Sequence, residues 1–315
     1  MLRAIRNNNE HFRTKEEIRR AGLRVVESGT HEMWLLEPAY LRAVVKSSKE
    51  VKTYRVNPKR LGHKLLMAKD GPSTVRERAP YLYKYIKDGE KKDYNEVASV
   101  KNRTYWYNVG NWEPSDALWF ASYNERFVVP RSNGTIEDKR LYGITFNNKK
   151  DIDYVLAILN STLFPLFYEI GSRSNLGDGA TEWAVYEVKT YPIPYKLISA
   201  TSKKRIVAAF RQLAKKKVES IFEELRATKP EDIDLKKVSK ERFALDSAIL
   251  EAIGFEDKRK REKVQLALYQ SVIDLVRSRL EKAQSVGNTR NGKKVITTSI
   301  YIAELKDRIK EQDLS

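Results

Sequence analysis

The pattern of apolar residues changes at Pro192 and Pro194, and this change constrains the fold more than any other feature of the chain. Before the two prolines, short β-like runs alternate with turns such as Asn133-Gly134. After them, apolar residues recur every three or four positions, which is the spacing of one helix face. The sequence therefore predicts an α+β fold, with a mixed β-sheet domain followed by a mainly helical C-terminal domain.

Three segments follow from this division: an N-terminal helical lead-in over residues 1–29, a mixed domain over 30–196 and a helical domain over 197–315. In the lead-in, Thr14 and Glu17 have the spacing of a capping box, and Gly22 can end the short helix. One helix is predicted inside the mixed domain, from Asp151 or Asp153 to about Pro165. The β-like runs are residues 33–36, 126–129, 141–146 and 183–188.

The helical domain shows three apolar stripes. The first follows cap candidates at residues 199–202 and continues to Leu225, the second ends before Gly254, and the third ends before Gly287. Stripes of this kind predict packing, in a bundle or against another subunit. A basic linker over residues 288–294 and a last helix over 302–310 complete the expected order.

The chain is strongly basic. Its 60 Lys and Arg against 42 Asp and Glu give a formal net charge of +18 and a pI near 9.7. Neutralising phosphates releases condensed counterions, so this surplus favours a polyanion as partner, although a basic solvated surface gives the same count.

Several classes of protein are excluded by residue types. There is no cysteine, which excludes disulfides, thiolate metal sites and cysteine nucleophiles, and the three histidines lack the spacing of a metal site. The most apolar stretch, residues 154–168, is too short and too interrupted to span a bilayer. We therefore expect no metal site, no membrane partner and a cytoplasmic location.

Aromatic and basic residues are interleaved between residues 81 and 107. Rings can stack on bases while cations hold phosphates, so this stretch is typical of nucleic-acid binding. The DNA-binding candidates here are Lys101, Arg103, Trp106 and Tyr107. The alternative is that Tyr105 and Tyr107 are strand residues that point into a core.

Further candidates lie downstream. Arg126 and Arg131 follow on a predicted strand and loop, where arginine can reach guanine edges or phosphates. The Gly-rich segment 171–180 contains Arg173, Ser174 and Asn175, and its backbone can approach a phosphate closely. It lacks the Gly-Lys-Ser/Thr of a P-loop, and a structural turn is the alternative.

An ordered series of short motifs resembles one known family. The motifs are residues 36–41, 47–54, 85–90, 99–107, 159–162 and 177–195, followed by 242–255 and 268–280. In this order they are similar to the C-terminal target-recognition (specificity) region of restriction–modification N-6 adenine-specific DNA methyltransferases of type II or IIG, and to their helical tail. The resemblance covers nearly the whole chain.

The resemblance implies a module that reads a short sequence of double-stranded DNA while a catalytic domain or subunit methylates adenine with S-adenosylmethionine. That chemistry needs an Asn/Asp/Ser-Pro-Pro-aromatic loop, which holds the amino group of a flipped base. The nearest string here, residues 192–195, has neither the polar residue nor adjacent prolines. We therefore expect no catalytic residue and no cofactor in this chain, with S-adenosylmethionine bound by the catalytic partner.

Two other functions stay open from the sequence. Asp178, Glu187 and Lys189 fit the loose spacing of a PD-(D/E)xK nuclease, in which carboxylates hold magnesium and lysine helps to activate water. In the alternative, Glu187 and Lys189 are an ordinary charged pair on one face of a strand. A helical scaffold that binds no DNA is the third hypothesis, and it predicts basic residues spread evenly over the surface.

Overall fold

The computed structural model describes residues 4–8, 12–172, 180–194 and 198–290, with side chains described as far as residue 283. The linker beyond residue 290 and the helix expected over 302–310 lie outside the described residues. The helices are α1 (Lys15–Arg20), α2 (Pro72–Arg78), α3 (Pro80–Lys91), α4 (Ile152–Leu159), α5 (Leu163–Gly171), α6 (Val185–Val188), α7 (Ala200–Leu213), α8 (Ile221–Leu225), α9 (Lys240–Ala252) and α10 (Lys258–Arg290). The strands are β1 (Arg24–Glu27), β2 (Met33–Leu36), β3 (Leu41–Val45), β4 (Lys64–Leu66), β5 (Ala117–Phe120), β6 (Ser122–Tyr123), β7 (Ile136–Glu137), β8 (Leu141–Ile144) and β9 (Thr181–Glu182). The predicted α+β class is confirmed.

The chain forms two compact units that alternate along the sequence. The first comprises Met1–Lys46, Asn57–Pro114 and Gly134–Asp138, and the second comprises Ser47–Val56, Ser115–Asn133 and Lys139–Ser315. These bounds differ from the division at residues 29 and 196 that composition indicates. That division stays a prediction about functional modules.

In the first unit, small sheets carry the helices. β1 and β2 form an antiparallel hairpin, and β3 pairs with β4 antiparallel and with β7 in parallel. Helix α3 buries Leu82 and Ile86 because they lie one turn apart on the same face, and both pack with Leu36 of β2. A smaller core joins α1 to the hairpin. The sheets and α3 thus form the base from which the segment after residue 91 extends.

In the second unit, the helices dominate. β5 pairs with β8 and β6 with β9, both antiparallel, while α7 packs against α4 and α9, and α10 packs against α5 and α9. Trp119 is 1% exposed and packs edge-on to Phe164 at a ring distance of 4.9 Å. Aromatic packing therefore fixes β5 against α5.

A buried polar network ties distant parts of the second unit together. Arg242, 3% exposed, donates from Nε to the Glu224 carboxylate at 2.7 Å and from Nη1 to the Asn160 carbonyl. Asp246 accepts from the Thr162 hydroxyl at 2.6 Å and from the Tyr269 hydroxyl at 3.0 Å. Burial raises the pKa values of Glu224 and Asp246, and the Arg242 guanidinium opposes both shifts.

Some predictions that depend only on residues close together in the sequence are confirmed. The Thr14–Glu17 capping box is present, and Gly22 has a φ of 72° just beyond α1. The strand at 33–36 is present, and the one at 141–146 is present as far as Ile144. The predicted helix begins at Ile152 with Asp151 as its N-cap and ends at Leu159, after which α5 begins at Leu163.

Four expectations about elements are wrong. Residues 126–129 form no strand, and residues 185–188, inside the run expected as a strand over 183–188, are helical. The first stripe of the helical domain breaks after Leu213, because Val218 donates its N–H to the Lys52 carbonyl at 3.0 Å and the intervening chain leaves the helix. Helix α10 continues beyond Gly287 to Arg290.

Candidate nucleic-acid interface

The segment that follows α3, residues 93–114 of the first unit, contains four of the predicted DNA-binding residues. Two glycines leave room for aromatic rings of this loop to pack against the rest of the unit. A Cβ on Gly89 would lie 2.7 Å from Cη2 of Trp106, and a Cβ on Gly71 would lie 2.8 Å from the Tyr105 hydroxyl oxygen. Both distances are shorter than real contacts allow, so the glycines are required for this packing.

Tyr107 anchors the loop from inside the core. It is 7% exposed, its hydroxyl donates to the Asp70 carbonyl at 2.8 Å, and burial raises its pKa to about 12. Its ring is stacked with that of Tyr105 at 5.8 Å. Tyr107 is therefore chiefly a core residue, which corrects its assignment as an exposed stacking residue. The core position of Tyr107 was the alternative, although the residues form a turn and not a strand.

Lys101 and Arg103 are exposed on the same loop. The Arg103 guanidinium donates to the Asn108 carbonyl at 2.8 Å, and no carboxylate among the described residues pairs with either cation. Next to Arg103 lies an open concavity of about 360 Å³ formed by residues 103–105 and 108–110. Trp112, at the far end of the loop, is 41% exposed, and Trp106 is half-buried against α3.

Arg126 and Arg131 belong to the second unit, and the guanidinium of each contacts other groups of that unit. The Arg126 guanidinium donates to the carbonyls of Ser48 and Val51, and burial lowers its pKa. Arg131 lies 3.3 Å from the carboxylate of Asp153. These partners hold loops of the second unit together, so the structure gives both arginines a structural role that the sequence did not predict.

Arg173, Ser174 and Asn175 lie outside the described residues. Just before them, Gly171 is required by packing, since a Cβ there would lie 2.7 Å from Cζ2 of Trp183. At least one glycine of the segment therefore serves the fold.

A group of four charged residues in the first unit has no counterpart among the sequence motifs. Arg6 and Lys92 each pair with both Glu32 and Asp88, at N–O distances of 2.7–3.2 Å. The hydrogen bond from Lys92 holds the pKa of Glu32 below its ordinary value. For Asp88, hydrogen bonds from Lys92 and Arg6 outweigh burial and also lower the pKa. Residues 6 and 32 lie far in sequence from the neighbouring pair 88 and 92, which explains why no local pattern marks the whole group.

The residues of the nuclease alternative have another arrangement. Glu187 lies in α6, where its carboxylate accepts the backbone N–H of Ala184 at 2.6 Å, and Lys189 is the C-cap residue of that helix. They are not a charged pair on a strand, and Asp178 lies outside the described residues. Within the described parts of the chain, no group of three or more His, Asp or Glu residues is placed to hold a metal ion.

No single helix among the described residues is long and apolar enough to cross a membrane. One bent pair, residues 149–159 with 163–171, reaches the required length and apolar composition across a 73° break.

The comparisons with known proteins bear on the family. The family model described as "Type II methyltransferase M.Eco57I, C-terminal domain" matches residues 8–229. A solved structure, the type IIG restriction endonuclease BpuSI, aligns with a TM-score of 0.53 at 14% identity over 78% of this chain, which shows a shared fold. The chain spans 27% of the length of that protein. No curated protein matches the chain.

The family model covers well over half of the chain, and its description agrees with the resemblance carried by the ordered motifs. The chain belongs to the family of the C-terminal domain of the type II methyltransferase M.Eco57I, a C-terminal region of restriction–modification methyltransferases.

Proposed function

We propose that this chain binds double-stranded DNA as the target-recognition part of an adenine-specific methyltransferase of a restriction–modification system. The family, the net charge of +18 and the exposed cations of residues 93–114 support the proposal. In this proposal the protein is cytoplasmic, and a catalytic methyltransferase domain or subunit is its partner.

One observation carries the proposal: Lys101 and Arg103 are exposed and lack a carboxylate partner among the described residues, while the loop that presents them is held by buried rings. A loop on a rigid base can place a guanidinium accurately, and loops of this kind commonly bear binding residues. An arginine free of carboxylates can bind a guanine edge through two parallel hydrogen bonds, whereas lysine acts as a point charge. We assign Arg103 to the bases and Lys101 to a phosphate.

Arg173, Ser174 and Asn175 remain proposed DNA contacts, with Arg173 at a phosphate. Trp106 is proposed to contribute indirectly, because its half-buried ring packs against α3 and so positions the loop. Arg126 and Arg131 contribute indirectly, since they order the loops of the second unit.

The residues of this chain do not fit S-adenosylmethionine chemistry. The Asn/Asp/Ser-Pro-Pro-aromatic loop is missing from the sequence, and the Pro194 carbonyl in the nearest string accepts a hydrogen bond from the Tyr154 hydroxyl at 2.9 Å. Methyl transfer is therefore proposed to occur in the partner. The purified chain should neither methylate DNA with labelled S-adenosylmethionine nor cleave it in the presence of magnesium; cleavage that Glu187→Ala abolishes would favour the nuclease function.

Fluorescence anisotropy of labelled duplexes with the 315-residue chain tests DNA binding. We expect weak binding at low salt that falls steeply as salt rises, with a slope of about −0.9 for each phosphate contacted. Tight binding that ignores salt, or no binding at low salt, would contradict the proposal.

Two variants test the assignment of Arg103. Arg103→Lys keeps the charge and loses the planar fork, so it should retain binding to random duplexes and lose discrimination at one base pair, by roughly 1–3 kcal/mol. Arg103→Ala should weaken binding to every sequence as well. Equal loss of affinity in both variants on all duplexes would reject base contact by Arg103.

A further inference from the structure

A cavity of about 380 Å³ opens in the first unit beside the loop of residues 93–114. Its volume lies within the range of about 300–1,000 Å³ that small-molecule sites occupy. One side is formed by α3, through Tyr85, Ile86 and Gly89, and another by Leu65 and Leu66. Asp88 of α3 and Lys92 at its C-cap also line the cavity, and further lining comes from Glu32 in the hairpin turn and from the loop, including Tyr94, Arg103 and Trp106.

The walls suit a flat ring. Tyr94, 41% exposed, and the half-buried Trp106 both lie against Gly89, and Trp106 could not approach α3 so closely beside a larger residue. Val97 is 51% exposed in the same wall, so the cavity is open to solvent and accessible. Aromatic and aliphatic walls of this type stack on bases without regard to sequence.

The polar lining of the cavity contains both hydrogen-bond acceptors and a cation with free donors. Glu32 and Asp88 contribute carboxylates that also pair with Arg6 and Lys92. Their lowered pKa values keep them ionised at neutral pH, so they only accept hydrogen bonds. Near them is the Tyr85 hydroxyl, which makes no hydrogen bond to a described residue. Arg103, which has no carboxylate partner in the described part of the chain, is part of the lining and can donate to acceptors of a ligand.

A ligand that satisfies these groups is a flat ring that carries an amino group and also hydrogen-bond acceptors. From this geometry we infer that the cavity binds the base of a nucleotide that has an exocyclic amino group, with Arg103 donating to an acceptor on the edge of the same base. In the bound state this nucleotide is an unstacked residue of the DNA, so the inference rests on the proposed function and adds a base-binding pocket to it. The same chemistry is offered by a free nucleotide, which gives a separate test.

Saturation-transfer NMR with free mononucleotides tests the pocket without any duplex. We expect signals from dAMP and dCMP with the 315-residue chain and weaker ones from dTMP, which lacks an amino group. Tyr94→Ala should reduce the affinity about tenfold, and Tyr94→Phe should retain it, because stacking needs the ring and not the hydroxyl. Tyr186→Ala, which removes an exposed tyrosine of the second unit, should change nothing.

Anisotropy with duplexes then distinguishes the two sources of the ligand. A duplex with one bulged adenine or cytosine should bind several-fold more tightly than its fully paired counterpart, and Tyr94→Ala should remove this preference while binding to the paired duplex persists. If the wild-type chain gives no mononucleotide signal, or Tyr94→Ala leaves both the signal and the bulge preference unchanged, the pocket is rejected and DNA binding stands. If mononucleotides bind and no duplex does, the pocket stands and the proposed function is rejected.

Discussion

The two units differ in how their arginines are placed and in what these arginines contact. In the second unit, Arg242 and Arg279 are 3% and 7% exposed, and each lies against a buried glutamate, Glu224 or Glu169. In the first unit, Arg103 is exposed, and its guanidinium donates to a carbonyl of its own loop. The buried arginines direct their donors at protein groups, so their charge is not available to a ligand. Arg103 keeps most of its donors free for one.

The difference shows that net charge alone does not locate a binding surface. A chain with a charge of +18 uses part of its arginine to hold helices together and another part to face solvent. Breaking a buried pair leaves an uncompensated charge, whereas removing an exposed cation changes little except the attraction of polyanions. The comparison therefore predicts that substituting a buried arginine lowers stability, whereas substituting an exposed arginine weakens the binding of DNA.

The largest expected effect is on stability, from Arg242→Ala. Glu224 would remain buried without its cation, so we expect the free energy of unfolding to fall by about 3–5 kcal/mol. The matched control is Arg205→Ala, which breaks the exposed pair with Glu251 and should cost at most about 1 kcal/mol. Urea denaturation measures both. Equal losses in the two variants would remove the contrast between buried and exposed arginine.

The next effect links packing to binding. Gly89→Ala places a Cβ where Trp106 now lies, so the ring and the base of the loop must shift, at a cost of about 1–3 kcal/mol. We expect DNA affinity to fall as well, because Lys101 and Arg103 move with the loop. Gly62→Ala is the control, since a Cβ added there would meet nothing within 4 Å and should change neither property. If Gly89→Ala lowers the thermal midpoint but leaves DNA binding unaltered, the packing of Trp106 on Gly89 is not needed for DNA binding.

The smallest expected effect is on the stability of the chain in acid. The pKa of Glu32 is lowered in the folded chain, so its ion pairs contribute stability above its ordinary value of 4.5, and this contribution is lost as the pH falls through the folded-state pKa. Lys92→Met removes the hydrogen-bond donor that causes the shift and should make unfolding less sensitive to acid. Urea midpoints at neutral pH and in acid below pH 4.5 measure this. An unchanged difference between the two midpoints would show that the Lys92 pair contributes nothing.

Local patterns predict the elements that neighbours in sequence determine. Thr14 and Glu17 satisfy each other across three residues, so their capping box can be recognised directly. The break after Leu213 cannot, because it depends on Lys52, more than 160 positions earlier in the chain. Likewise, residues 159–162 and 242–255 are separate motifs in the sequence, and the structure joins them through Arg242, Asn160, Thr162 and Asp246.

The candidate site is predictable to the same extent. The interleaved rings and cations around Arg103 indicate the loop that presents exposed cations, since composition is a property of the segment itself. Which rings are buried depends on Gly71, Gly89 and Asp70, and no periodicity relates these to Tyr107. The structural role of Arg126 escapes prediction for the same reason, because its partners are carbonyls of residues 48 and 51.

The central claim is that the exposed cations of residues 93–114 bind DNA. The most direct measurement is the salt dependence of duplex binding by the double variant Lys101→Ala/Arg103→Ala, compared with Lys15→Ala/Arg20→Ala, which removes the same two residue types from the exposed face of α1. We predict that the first variant binds much more weakly and that its slope of log affinity against log salt is shallower by up to about 2. The control should match the wild-type chain. Equal affinities and equal slopes for the two double variants would contradict the account.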